Sequence, residues 1–366
     1  MGDIYPFLLF TSMLGLTAFI YEINRSHPFF VLIFFIISLI GLLIRLFHLH
    51  SLKAGGNKID FNLLREKNIV RYIPWLKENV RGHSETIDIV AHRIQQNLSL
   101  SQIGRTLGSF IFVGPTGTGK TFLSELIGMT LYPNSEPIII SMNQYKSPND
   151  VYTLLGAPPG HPGFEIGGSL TRPIQENPYR LVLIDEIEKA HPDVQHCLYN
   201  ILDKAESREK SSGNLASFAA CVFIATCNSG VESLRNVYAS EKNHLLRTAR
   251  AREILARDAG FERALLARFD DILLMDELRA IDVAEVACLQ LAKHWRRYGI
   301  NVDYASPEII LEAMMRNMEF KEYGVRQLSR FIQELADPVI ELARQSGKNH
   351  VRLDVDRRSG KIILNA

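Results

Sequence analysis

Residues 114–121 read Gly-Pro-Thr-Gly-Thr-Gly-Lys-Thr, the G-x-x-x-x-G-K-T pattern of a phosphate-binding loop. Its setting constrains the fold more than any other stretch. An apolar run, Ser109-Phe-Ile-Phe-Val113, leads into it, and a helical pattern from Thr121 to Leu131 leads away. Strand, loop and helix in that order are what the motif requires. Glycines let the backbone curl so that its N–H groups point inward at phosphate oxygens. Gly114, Pro115, Thr116, Gly117, Thr118 and Gly119 form the cradle. Lys120 reaches the outer phosphates, and Thr121 offers its hydroxyl to Mg²⁺. The expected ligands are ATP and Mg²⁺.

A second signal lies downstream. The buried-looking run Leu181-Val-Leu-Ile184 ends in Asp185-Glu186. An acidic pair at a strand tip completes a nucleotide-hydrolysing site: Asp185 holds Mg²⁺ through water, and Glu186 orients and deprotonates the attacking water. Taken alone, such a pair is also what a helix N-terminus favours. Apolar runs at 109–113, 137–141, 181–184, 221–226 and 271–275 alternate with helical segments. Continuous apolar strands of this kind predict an α/β fold, a parallel sheet covered by helices on both faces. Residues 62–97 read as helical before the first strand. After Met275 the pattern turns helical at 281–298, 307–317 and 325–346, and two short runs, 351–355 and 361–364, bracket Arg357-Arg-Ser-Gly360 as a hairpin.

The chain has 366 residues with 46% hydrophobic content, enough for two to three structural units. A net charge of +1 gives no bulk electrostatic case for nucleic acid, and no dense basic stripe with interleaved aromatics occurs. Cys197, Cys221, Cys227 and Cys288 lack C-x-x-C spacing, which fits a reduced compartment without a disulfide frame or a zinc site.

No charged residue occurs from Ile4 to Tyr21, nor from Pro28 to Ile44. As helices these stretches would each span roughly 25 Å, close to the ~30 Å bilayer core. Glu22-Ile-Asn-Arg-Ser-His27 forms a polar turn between them. Arg45, Lys53 and Lys58 follow the second stretch, against Arg25 in the turn. The positive-inside rule then puts the rest of the chain in the cytoplasm, the side that holds ATP. The start Met-Gly-Asp lacks the basic region of a signal peptide, and Pro6 stands where myristoylation asks for Ser or Thr. A membrane with two spans, a bacterial inner membrane, is the expected location. The expected organisation is a transmembrane hairpin at 1–50, a tether at 51–68, a large α/β nucleotide-binding domain at 69–275 and a small, mostly helical lid at 276–366.

Leu183-Ile-Asp-Glu-Ile-Glu-Lys-Ala-His-Pro-Asp193 resembles the Walker B segment of Clp-type AAA+ unfoldases, in particular their second ATPase ring. Gly156-Ala-Pro-Pro-Gly160, followed by Gly163 and Gly167-Gly-Ser-Leu-Thr171, is similar to their pore-loop segment. The similarity runs from about Tyr72 to the C-terminus and implies an AAA+ P-loop NTPase sheet with a lid. Val80 and Arg81, before Gly82-His83, stand where the family has its adenine-contacting stretch. Asn228 in Thr226-Cys-Asn228 matches the sensor of the γ-phosphate or attacking water. Arg268 in Ala267-Arg-Phe-Asp270 matches the arginine finger that reaches a neighbouring subunit's ATP, with Arg263 as a competitor. Arg326 in Tyr323-Gly-Val-Arg326 matches the lid sensor arginine. A finger acting in trans implies a homo-oligomeric ring, hexameric by the resemblance, working on a protein client.

The sequence also departs from the family. Gly160-His-Pro-Gly163 replaces the family's Gly-Tyr-Val-Gly, so His161 and Phe164 become the candidate client contacts and Pro162 stiffens the loop. The second pore-loop region, Asp203 to Phe218, keeps the charged residues Arg208, Glu209 and Lys210 but lacks the Gly-Arg turn. No Ile-Gly-Phe or Ile-Gly-Leu tripeptide occurs between Asn228 and Arg268, and no H-E-x-x-H occurs, so no protease partner or metalloprotease is expected. Two functions remain open. One is a membrane-anchored ATPase that remodels, unfolds or disassembles proteins at the cytoplasmic face, a location that would suit a secretion or envelope complex. The other is an ATP-switched assembly factor or scaffold with little translocation.

Overall fold

Five apolar runs pair into one parallel sheet. They are β1 (Gly108–Val113), β2 (Ile138–Ser141), β3 (Leu181–Asp185), β6 (Val222–Cys227) and β7 (Asp271–Leu274), in the order β2-β3-β6-β1-β7. A short antiparallel hairpin, β4 (Glu206–Arg208) and β5 (Leu215–Ser217), lies between β3 and β6 in sequence. The computed structural model describes residues 59–61, 64, 68–100, 104–319, 325–356 and 361–365. The membrane hairpin expected at 1–50, and the tether up to 58, lie outside the described residues. Among the described residues no helix is long and apolar enough to cross a membrane.

The alternation along β1 shows why these strands read as unbroken apolar runs. Phe110 and Phe112 point to one face, Ile111 and Val113 to the other, and all four are buried. The first face packs on α1 (Ser84–Leu100) through Ile87, Val90 and Ile94, and on α2 (Lys120–Leu131) through Leu123 and Ile127. The second packs on α3 (Pro192–Lys204) through Val194, Leu198 and Ile201, and on α5 (His244–Asp258) through Ala251 and Leu255. Between α3 and α5 in sequence lies α4 (Val231–Ser240). Each buried aliphatic side chain contributes roughly 1.5–3 kcal/mol, so both layers hold the sheet firmly.

After β7 come α6 (Ala280–Arg296), α7 (Pro307–Glu319) and α8 (Arg326–Gln345), packed around Trp295, Leu291, Ile309, Leu328 and Ile332. A three-stranded sheet, β10-β9-β8, covers them, with β8 at Asn301–Ala305, β9 at His350–Val355 and β10 at Ile362–Asn365. The C-terminal hairpin is present as an antiparallel pair, but β8 was not expected. It is an edge strand of mostly exposed residues, Asn-Val-Asp-Tyr-Ala, held to β9 by backbone bonds, so it carries no apolar signature.

The helical expectation for 62–97 needs one correction. A turn of 3₁₀ helix (Ile69–Tyr72) and a short helix (Ile73–Asn79) precede α1, and the chain breaks between them and α1. Val80 is extended, with φ −120° and ψ 121°. The break carries the chain across the phosphate loop.

Candidate active site

The phosphate loop joins β1 to the first turn of α2. Gly114 donates to the Cys227 carbonyl at 3.0 Å. A Cβ there would fall 2.0 Å from the Met275 carbonyl oxygen, so only glycine fits. Gly119, with φ 95°, turns the chain into α2 through the left-handed region. Lys120 is buried within the loop. Its Nζ donates to the carbonyls of Gly114 and Pro115, both at 2.7 Å, and to Asn228 Oδ1 at 3.0 Å. A buried ammonium inside a Gly-rich loop that opens a helix is suited to bind polyphosphate.

The acidic pair is held from the neighbouring strand. Thr226 on β6 donates from Oγ1 to Asp185 Oδ1 at 2.6 Å and accepts from the Glu186 N–H at 2.9 Å. Glu186 lies at φ 55°, ψ 52°, a left-handed conformation unusual outside glycine. Such residues concentrate at functional sites. Asn228 Nδ2 donates to Glu186 Oε1 at 3.3 Å, and its backbone N–H donates to Glu188 Oε1 at 2.9 Å. Its amide therefore faces oxygen to Lys120 and nitrogen to Glu186. The flipped amide would set like against like. Lys120, Asn228 and Glu186 form one connected series.

Asp185 and Thr121 both line the same cleft, of about 890 Å³. Among the described residues no three His, Cys, Asp or Glu side chains cluster as a metal site. Mg²⁺ in phosphoryl-transfer sites takes one or two protein oxygens and completes its shell with waters and phosphates. The Thr121 hydroxyl and the oriented Asp185 carboxylate match that donor set.

Val80 and Arg81 line the cleft, together with Leu289 and Gln290 of α6 and Ser329 and Ile332 of α8. Arg81 Nε lies 3.0 Å from Glu285 Oε2 on α6, and Nη1 donates to the Lys77 carbonyl at 3.0 Å. His83 is buried, and its Nε2 lies 2.8 Å from the Thr118 carbonyl of the phosphate loop. A carbonyl only accepts, so Nε2 carries the proton. Burial pushes the His83 pKa below its ordinary value, with the Thr118 bond opposing, so the ring is neutral at pH 7. Val325 N–H donates to Gly117 O at 3.3 Å, tying the last helix to the loop. Arg326 is the first residue of α8 at the cleft, and its side chain lies outside the described residues.

Arg268 does not line this cleft. Its Nε pairs with Asp203 Oδ1 at 2.6 Å, Nη2 donates to the Tyr199 hydroxyl at 3.3 Å, and the guanidinium sits 5.1 Å from the Tyr199 ring centroid. Both partners are on α3. Arg263 opens the short helix Arg263–Leu266 and is exposed. Arg252 on α5, which sequence reasoning missed, donates to the carbonyls of Leu266 and Phe269 at 3.2 and 2.8 Å and so pins the turn that carries Arg268. Nothing in the sequence marks it among the other helix arginines.

His161 and Phe164 lie on an exposed turn and do not line the cleft. The His161 ring is 5.3 Å from that of Tyr152, over which Lys210 Nζ sits at 4.7 Å. Glu209 differs from its charged neighbours. Arg208 and Lys210 are exposed, but Glu209 is 3% exposed. Its Oε1 accepts from the Gly168 N–H at 2.9 Å and Oε2 from Ser212 Oγ at 3.0 Å. It is a strut between the two loop regions rather than a charge shown to a client.

Residues 105–272 match the family model for the AAA domain (Cdc48 subfamily). Over 289 residues the chain is 30% identical to the chaperone protein ClpB of Malacoplasma penetrans, covering 77% of this chain and 39% of that protein. It is 34% identical over 310 residues to the ATP-dependent Clp protease ATP-binding subunit ClpE of Lactococcus lactis, covering 84% and 41%. With the ClpB of Bacillus anthracis it shares 32% identity over 306 residues, covering 80% and 34%. The chain thus spans 34% to 41% of the length of these curated relatives. A P-loop sheet, an acidic pair at the tip of β3, an asparagine just past β6 that bonds both Lys120 and Glu186, and these matches agree: the chain carries a Clp-type AAA+ ATPase domain.

Proposed function

We propose that this chain hydrolyses ATP at the boundaries between copies in a ring, hexameric by analogy with its family. The cycle remodels, unfolds or disassembles protein clients at the cytoplasmic face of a membrane. The observation that carries the reading is the connected series Lys120–Asn228–Glu186 inside the cleft, with Arg268 outside its lining. Loop N–H groups and Lys120 bind the phosphates. Thr121 and Asp185 would hold Mg²⁺, which would supply neutralising charge at the phosphates. Asn228 orients a water, and Glu186 takes its proton as the water oxygen bonds to the γ-phosphorus. The bond from that phosphorus to the β-phosphate oxygen breaks, leaving ADP and inorganic phosphate. Arg268 of an adjacent copy neutralises the developing charge, an effect of about 10³–10⁵ in rate for such fingers. The link between Val325 and Gly117, with Arg326 beside it, couples the lid to the phosphates.

The uncharged stretches 4–21 and 28–44 support anchoring by two spans, in a bacterial inner membrane, where a secretion or envelope complex would supply the client. Extraction of membranes at alkaline pH tests this: release of the chain into the soluble fraction refutes the anchor. A second reading, an ATP-switched assembly factor with little translocation, is favoured by Pro162 and by the packing of His161 against Tyr152. Steady-state hydrolysis by the full-length chain, measured beside unfolding of a tagged client, separates the two. Client movement that depends on turnover excludes the scaffold, and ATP-stabilised rings that move no client exclude the motor.

A further inference from the structure

Glu186 is gripped at both carboxylate oxygens, and only one grip comes from a recognised sensor position. Asn228 holds Oε1, while Lys189 Nζ donates to Oε2 at 2.9 Å. The backbone builds this contact. Glu186 turns the chain through the left-handed region directly into a 3₁₀ turn, Ile187–Lys189. In 3₁₀ geometry residues i and i+3 stand one above the other. The Lys189 N–H accordingly closes on the Glu186 carbonyl at 2.9 Å while its side chain closes on the carboxylate. Two further bonds fix the end of the turn: Ala190 N–H to Ile187 O at 3.2 Å and His191 N–H to Tyr145 O at 2.8 Å.

We propose that Lys189 is a positioning residue for hydrolysis, fixing the rotation of the Glu186 carboxylate through Oε2 while Asn228 fixes Oε1. This rests on Glu186 being the base. The terminal torsion of a glutamate is broad and roughly two-fold, so one hydrogen bond leaves the carboxylate free to swing. Two opposed donors remove that freedom. The pair is too exposed to matter much for folding: Lys189 is 46% exposed and Glu186 25%, and such surface pairs contribute little stability. The hydrogen bond to Glu186 keeps the Lys189 pKa above its ordinary value, with the charges of Glu186, Glu188 and Asp185 adding to it, so the ammonium persists throughout the neutral range.

The test uses the full-length chain in detergent micelles, carrying Lys189→Met or Lys189→Arg, each alone and combined with Glu186→Gln. Catalytic constants and binding of a fluorescent ATP analogue are measured together. Lys189→Met should lower kcat about tenfold, since small misplacements of a reacting group carry costs of this order. KM and analogue binding should stay within about twofold. Lys189→Arg, which keeps a cationic donor, should recover most of the loss. In the Glu186→Gln background Lys189→Met should leave the residual turnover unchanged, because the carboxylate base it positions has gone. Wild-type kcat in Lys189→Met, a loss that falls on KM, or an equal loss in the Glu186→Gln background overturns the proposal. Should Lys189→Met fail to bind the analogue, Lys189→Gln is judged by the same criteria. Normal turnover by Glu186→Gln alone instead sinks the assignment of the base, so the two failures are distinguishable.

Discussion

Replacing Thr226 by valine should weaken the fold and stop most turnover through a single hydroxyl. Thr226 is 1% exposed on β6, and its oxygen is used twice, as donor to Asp185 and as acceptor from the Glu186 N–H. Valine has nearly the same shape, so no cavity opens and the loss is polar. A hydrogen bond to an ionised carboxylate is worth about 1.5–3 kcal/mol, and a buried N–H left without a partner costs about 1–3 kcal/mol. Water has partial access to Asp185 and Glu186, which offsets part of both, so a net loss of about 2–3 kcal/mol is expected. Turnover should fall by about 10²-fold or more, because Asp185 and Glu186, the proposed Mg²⁺ ligand and base, lose their shared reference point. Urea denaturation at matched protein and nucleotide concentrations, with steady-state ATP hydrolysis, measures both. Thr226→Ser keeps the hydroxyl and drops a methyl, so it should lose about 1 kcal/mol and retain most turnover. A valine variant within about 0.5 kcal/mol of wild type, hydrolysing ATP normally, would refute the reasoning.

Other consequences are equally direct. Glu186→Gln should retain ATP without cleaving it and stabilise the oligomer, read by nucleotide co-elution during size exclusion; normal hydrolysis removes Glu186 as base. Arg268→Ala should abolish hydrolysis yet bind ATP, and mixing it with Glu186→Gln should restore part of the activity; no rescue argues for a role in cis. Glu209→Ala strands the Gly168 N–H and should cost about 2 kcal/mol, with client processing falling more than basal hydrolysis. His83 is depressed below 6.5 by burial, so the unfolded chain takes up its proton first on acidification. The stability it contributes is complete above pH 6.5 and is lost as pH falls from there through the folded value; His83→Gln should flatten that limb of the urea midpoint against pH.

Residues proposed to touch a ligand were largely legible in the sequence, and residues that hold those side chains in place were not. The phosphate loop is contiguous, and Asp185-Glu186 ends an apolar run, so both survive as local patterns. The sheet was legible for a related reason: its strands are buried on both faces, as Phe110 and Ile111 illustrate, and burial writes itself into composition. Exposed β8 and the three-residue strands β4 and β5 leave no such trace. Thr226, His83, Arg252 and Glu209 act across long separations in the chain, through contacts a one-dimensional pattern lacks. Thr226 was nonetheless within reach of one more inference. Once β3 is paired with β6 in parallel and Ile184 is set opposite Ala225, the next rung must bring Asp185 to Thr226. A polar residue at the end of an otherwise apolar strand, facing the tip of the acidic strand, has no packing reason to be there. The threonine hydroxyl in Ala225-Thr226-Cys227 is therefore explained by the carboxylate and the N–H it serves, and strand register is the information that turns a motif into a site.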